Sequence, residues 1–104
     1  MSLSIDLTQE GSTVRAHISG EVDVSCADDL RAKLESALTP GVSELIVNIK
    51  DMSYIDSTGI GVFVGLMHHA KQKHIALSIH EPTRNVLRIF TMLGLDVELG
   101  LNSN

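Results

Sequence analysis

Residues 45–79 constrain the fold more than any other part of the chain. Leu45-Ile46-Val47-Asn48-Ile49 is short, β-branched and almost continuously apolar, which predicts a central strand covered on both faces. From Thr58 to Lys73 the apolar residues Ile60, Phe63, Val64, Met67 and Ala70 recur at helical spacing, and Lys71 and Lys73 make the last turn basic. Ile75-Ala76-Leu77-Ser78-Ile79 reads as a second strand. Strand, helix and strand in succession imply a right-handed crossover between parallel strands, and so an α/β domain.

The flanks fit that unit. Leu3, Ile5 and Leu7 alternate with polar residues, and after Glu10-Gly11-Ser12 the alternation resumes at Val14, Ala16 and Ile18, predicting two antiparallel strands. Gly20-Glu21-Val22-Asp23 ends the second of them. Ser25 and Asp28 have capping-box spacing for a helix over about Cys26 to Leu38, whose apolar stripe is Ala27, Leu30, Leu34, Ala37 and Leu38 and which Pro40-Gly41 stops. Pro82-Thr83 opens a further helix with Val86, Leu87, Phe90 and Leu93 on one side and Gly94 as its stop. Val97 and Leu99 suggest a last short strand, and Asn102-Ser103-Asn104 is expected to fray.

A chain of 104 residues with this apolar content supports one core, so residues 1–104 are expected to form a single domain. Tyr54, Phe63 and Phe90 are the only aromatic residues, which leaves no stacking platform for bases or sugars. With a net charge of -5 and no basic stripe, nucleic acid and anionic membrane are poor partners, and a basic patch on another protein suits the chain better. No apolar run reaches the ~20 residues of a membrane span, the start lacks a signal-peptide layout, and Cys26 stands alone. A cytoplasmic location is expected.

The stretch Asp51-Met52-Ser53-Tyr54-Ile55-Asp56-Ser57-Thr58-Gly59-Ile60-Gly61 carries the chemistry. A strand is expected to end just before it and a helix to begin within it, setting carboxylates, hydroxyls and glycines at one corner. Asp56 or Ser57 has the position of the helix N-cap. Ser57 also reads as an exposed hydroxyl open to phosphorylation, with amides near Thr58 to Gly61 available to a phosphate. Gly59, Gly61 and Gly65 each cost about 1 kcal/mol in a helix, which calls for close packing or close approach of a partner.

Enzyme motifs come near this stretch and fail. An extra residue separates Asp56 from Gly59 compared with Asp-Ser/Thr-Gly proteases, Ile55 stands where a nucleophile elbow has Gly, and Gly65 is one place late for a dinucleotide fingerprint. Catalysis is not expected. His17, His68, His69, His74 and His80 include no i, i+4 pair and read as solvated surface, so neither metal nor cofactor is expected. Cys26 reads as a packed or idle thiol near a helix start. Among the acidic residues, Asp23 stands apart because it ends a strand in a tight turn.

Gly20-Glu21-Val22-Asp23, Asp56-Ser57-Thr58-Gly59-Ile60-Gly61 and Leu93-Gly94-Leu95-Asp96 together resemble the anti-sigma factor antagonists, small bacterial STAS-domain proteins also called anti-anti-sigma factors, over nearly the full chain. The resemblance implies a mixed sheet of four to five strands with helices mainly on one side. It also implies transcription regulation by partner switching. The unphosphorylated form would bind an anti-sigma factor with serine kinase activity and release a sigma factor, phosphorylation at Ser57 would block binding, and a phosphatase would reset it. Asp23, Asp56, Ser57, Thr58, Gly59, Ile60 and Gly61 would be the partner-binding residues, and the kinase would supply nucleotide and metal. The sequence departs from the family at Asn48, where relatives commonly have Asp. Two rival readings are a STAS scaffold or adaptor with Ser57 merely a cap, and a nucleotide binder using the glycine-rich helix start.

Overall fold

The computed structural model describes residues 3–99 and 101–102. Its elements are β1 (Ser4–Glu10), β2 (Thr13–Val22), α1 (Ala27–Glu35), β3 (Glu44–Ile55), α2 (Ser57–Gln72), β4 (Ala76–His80), α3 (Arg84–Met92) and β5 (Leu101–Asn102). The five strands lie in the order β1-β2-β3-β4-β5, β1 antiparallel to β2 and every later pair parallel. Each parallel connection moves one place in the same direction across the sheet. Right-handed crossovers then put every helix on the same face.

That topology corrects the expectation for the central strand. β3 buries Leu45, Val47, Ile49, Met52 and Ile55 under the helices, while Ile46 and Asn48 on the other side stay half-buried. Its near-continuous apolar run therefore serves one covered face. Opposite it stand Leu30 and Leu34 of α1, Phe63 and Leu66 of α2, and Val86 and Phe90 of α3, all buried. Phe63 and Phe90 meet edge to face, with ring centroids 6.0 Å apart.

Four further boundaries differ from the sequence reading. β3 does not stop before Asp51 but continues to Ile55, because β2 is long enough to keep pairing with it past two register shifts. α1 ends at Glu35, where Ser36 Oγ donates to the Lys33 carbonyl at 2.6 Å; Ala37 and Leu38 are nonetheless buried as their stripe predicts. Leu93 is 56% exposed rather than buried, at the α3 C-cap, and Gly94 follows with φ 72 as the stop residue. Val97 and Leu99 form no strand: the Leu99 amide donates to the Leu95 carbonyl in a turn, and ladder pairing begins only at Leu101 opposite Ile79. Asn102 lies in β5, and Ser103 and Asn104 lie outside the described residues.

Candidate functional site

The corner forms where β2 and β3 end together. Glu21 pairs with Tyr54 and Val22 with Ile55, and the Asp56 amide donates to the Val22 carbonyl at 3.1 Å. Asp23 and Asp56 thus leave adjacent strands side by side at their carboxyl ends, where open α/β sheets place their sites.

Asp56 is the N-cap of α2. Its carboxylate accepts the Gly59 amide at 3.0 Å, and its carbonyl accepts the Ile60 amide. Ser57 is therefore the first helical residue, and its exposed hydroxyl has no hydrogen bond among the described residues. Thr58 is exposed beside it. Capping also changes which amides are free. Those of Gly59 and Ile60 are taken, so Ser57 and Thr58 supply the amides left in the first turn, rather than the whole stretch to Gly61.

The glycines divide by role. A methyl built on Gly59 would lie 2.5 Å from Val22 Cγ1 and 2.8 Å from Ile55 Cγ1, so only hydrogen fits between the helix and the strand ends. Gly61 and Gly65 have nothing within 4 Å of that position. Gly59 and Ile60 are buried. These two residues hold the turn from within, while Asp23, Asp56, Ser57, Thr58 and Gly61 reach or approach the surface.

Asp23 is held differently. Its carboxylate accepts both the Ser25 hydroxyl at 2.6 Å and the Ser25 amide at 2.9 Å. These two bonds, the side-chain one foremost, hold the carboxyl below the usual carboxylate range. Ser25 therefore does not build the expected capping box; Cys26 occupies the α1 N-cap position without a side-chain cap. Cys26 Sγ packs back on the turn, 3.5 Å from the carbonyls of Glu21 and Asp23.

Three of the histidines are tied to neighbours: His17 to Asp51 at 2.8 Å, His69 to Glu35, and His80 to Ser78 at 2.9 Å. Among the described residues no three His, Cys, Asp or Glu side chains gather as metal ligands. Asn48 has a local role, since its amide donates to Glu81 at 2.7 Å, which an aspartate carboxylate does not do. Missed by the sequence reading is a groove of about 360 Å³ beside the corner, lined by Tyr54, Arg88, Ile89 and Met92. Tyr54 and Met92 are exposed large hydrophobic side chains. Only the proximity of β3 to α3 reveals them as neighbours. No helix among the described residues is long and apolar enough to cross a membrane.

The STAS domain family model matches residues 4–104. The "Anti-sigma-B factor antagonist" of Bacillus subtilis (strain 168) is 36% identical over 95 residues, covering 91% of this chain and 86% of that protein. The structure of the anti-sigma factor antagonist SpoIIAA in its unphosphorylated form superposes with a TM-score of 0.80 at 24% identity, over 97% of this chain and 90% of that one. The phosphorylated form of SpoIIAA, a Bacillus cell fate determinant, gives 0.75 at 23% identity over 97% and 93%. At those identities the structural likeness bears on the fold alone.

Proposed function

The chain belongs to the STAS-domain family and has the anti-sigma factor antagonist role of its relatives, and we propose that Ser57 is the hydroxyl through which that role is switched. In this reading the unphosphorylated chain binds an anti-sigma factor through Asp23, Asp56, Ser57, Thr58 and Gly61, with Gly59 and Ile60 supporting the surface from beneath. Binding frees the sigma factor. The anti-sigma factor is also the serine kinase and brings the nucleotide and its metal, a phosphatase restores the free hydroxyl, and the protein works in the cytoplasm by binding rather than catalysis.

The observation that carries this is the division of labour between Asp56 and Ser57. The aspartate already caps the helix, so the serine hydroxyl is exposed and has no structural bond to lose. Phosphorylation adds about 1.5 to 2 negative charges. At the helix start the dipole favours that charge by only about 0.3 to 1 kcal/mol. Asp56, which caps the same helix, and Asp23, just past the end of the adjacent strand, already make the corner acidic, and the phosphate adds to that charge where the partner docks. A full reversal from bound to free takes about 5.5 kcal/mol, and in this reading it comes from desolvating the phosphate and from its clash at the partner's surface. No refolding is required.

The test is affinity for the anti-sigma factor by titration calorimetry. Ser57→Ala should bind within about 3-fold of the unmodified chain and Ser57→Asp at least about 10-fold more weakly, since one fixed charge supplies part of the phosphate's effect. Equal affinities for the two variants would contradict the reading.

A further inference from the structure

β3 outruns one of its neighbours. β4 pairs with residues 44–48 of β3, so residues 49–55 have β2 on one side and no strand on the other, and α3 packs along that open flank. The groove of about 360 Å³ between Tyr54 and α3 is what a helix leaves uncovered where a strand would have paired. Ligand pockets span about 300 to 1,000 Å³. A cleft at the small end of that range suits the side chains of a protein better than a whole small molecule.

The walls of the groove are apolar and open. Tyr54 is 49% exposed and Met92 76%, with Ile89 half-buried between the core and the cleft. The charge here is the reverse of the chain's. Arg84 and Arg88 are the only charged residues of α3, and Arg88, which lines the groove, is exposed and forms no salt bridge among the described residues. Groove and corner are continuous. Tyr54 pairs with Glu21 and stands two residues before Asp56, and exposed Val24 follows Asp23 in the facing turn.

We propose that the groove is a second part of the docking surface for the anti-sigma factor, seating an apolar side chain of that partner between Tyr54 and Met92 and an acidic group against Arg88. This rests on the reading of the Ser57 corner as the place where that partner docks. Tyrosine and arginine are among the side chains that carry most of the energy in protein interfaces, and methionine adapts its shape to what it meets. Along this surface the charge changes sign, from Asp23 and Asp56 at the corner to Arg88 in the groove. A partner with the opposite order of charges is matched in one orientation and repelled in the reverse. Ser57 does not line the groove, so a phosphate there leaves its walls as they are. The corner then supplies the switch and the groove supplies affinity.

Titration calorimetry of the purified anti-sigma factor against the full chain, Arg88→Glu, Met92→Glu and Val97→Glu tests this. All three replaced side chains are exposed, and Val97 is an exposed apolar residue outside the groove lining, so denaturant unfolding should stay close to that of the unmodified chain. Arg88→Glu and Met92→Glu should each weaken binding at least about 10-fold, and Val97→Glu should remain within about 3-fold. Affinities within about 3-fold for both groove variants, beside the expected difference between Ser57→Ala and Ser57→Asp, would overturn the groove and leave the switch standing. Groove variants that lose affinity while the two Ser57 variants bind equally would overturn the switch and leave the groove standing. A loss at Val97→Glu as large as at Met92→Glu would show a general response to added charge and overturn the groove, and no binding by the unmodified chain would overturn both.

Discussion

β2 and β3 end side by side, and each delivers an aspartate with a serine close behind it, yet the two serines meet different fates. At the α1 start, Ser25 lies two residues after Asp23 and folds back on it, so both its amide and its hydroxyl are spent on the carboxylate. At the α2 start, Ser57 follows Asp56 directly. The aspartate is already turned into the helix to take the Gly59 amide, and the hydroxyl points to solvent unclaimed. One residue of spacing converts a structural serine into an available one. An Asx-type turn consumes the hydroxyl that a helix N-cap leaves free.

Substitutions that exchange these properties test the contrast, beginning with the tightest contact. Gly59→Ala forces a methyl against two β-branched side chains in the core, and overpacking of this kind costs about 1 to 3 kcal/mol. Helix propensity returns about 1 kcal/mol, so denaturant unfolding should show a net loss. Gly61→Ala meets nothing and should instead gain up to about 1 kcal/mol. Loss at both positions would mean that the α2 start is not packed as described.

Removing the cap is the next largest effect. Asp56→Ala should cost about 1 kcal/mol of unfolding free energy, with Asp56→Asn within a few tenths, because Asn caps as well. At the α1 start Ser25→Ala removes no cap and should leave anti-sigma factor affinity within about 3-fold. A larger loss of binding there would erase the distinction between the two serines.

The smallest effect is a titration. Asp23 has its folded-state pKa lowered by Ser25, so its contribution to stability is present above the unfolded carboxylate value and fades as pH falls through the lowered one. Ser25→Ala should move the Asp23 carboxyl upward towards its ordinary value in an NMR titration, the Ser25 amide bond persisting. An unmoved Asp23 would show that the hydroxyl bond does not hold it.

Much of the fold was legible because periodicity reports burial directly. The alternation at Val14, Ala16 and Ile18 and the helical stripe at Ile60, Phe63, Met67 and Ala70 point to faces that are indeed buried. The second half of β3 was not legible. Lys50-Asp51 interrupts the two-residue period, and only its pairing with β2 through two register shifts keeps Met52 and Ile55 in the core. Leu93 and Val97 misled for the opposite reason, since they are apolar yet end in solvent around a helix stop. At the corner, Asp56 and Ser57 were both plausible caps by composition. Which of them holds the Gly59 amide depends on the angle at which α2 leaves the sheet, and that angle is set by Gly59 lying against Val22 and Ile55.

The availability of Ser57 is tested most directly by incubating the chain with its anti-sigma factor and ATP and locating the phosphate by peptide mass spectrometry. A single phosphate on Ser57, with Ser25 and Thr58 unmodified, is the predicted result. Phosphate on either of those residues instead, or on none, would contradict it and leave Ser57 as part of a scaffold surface.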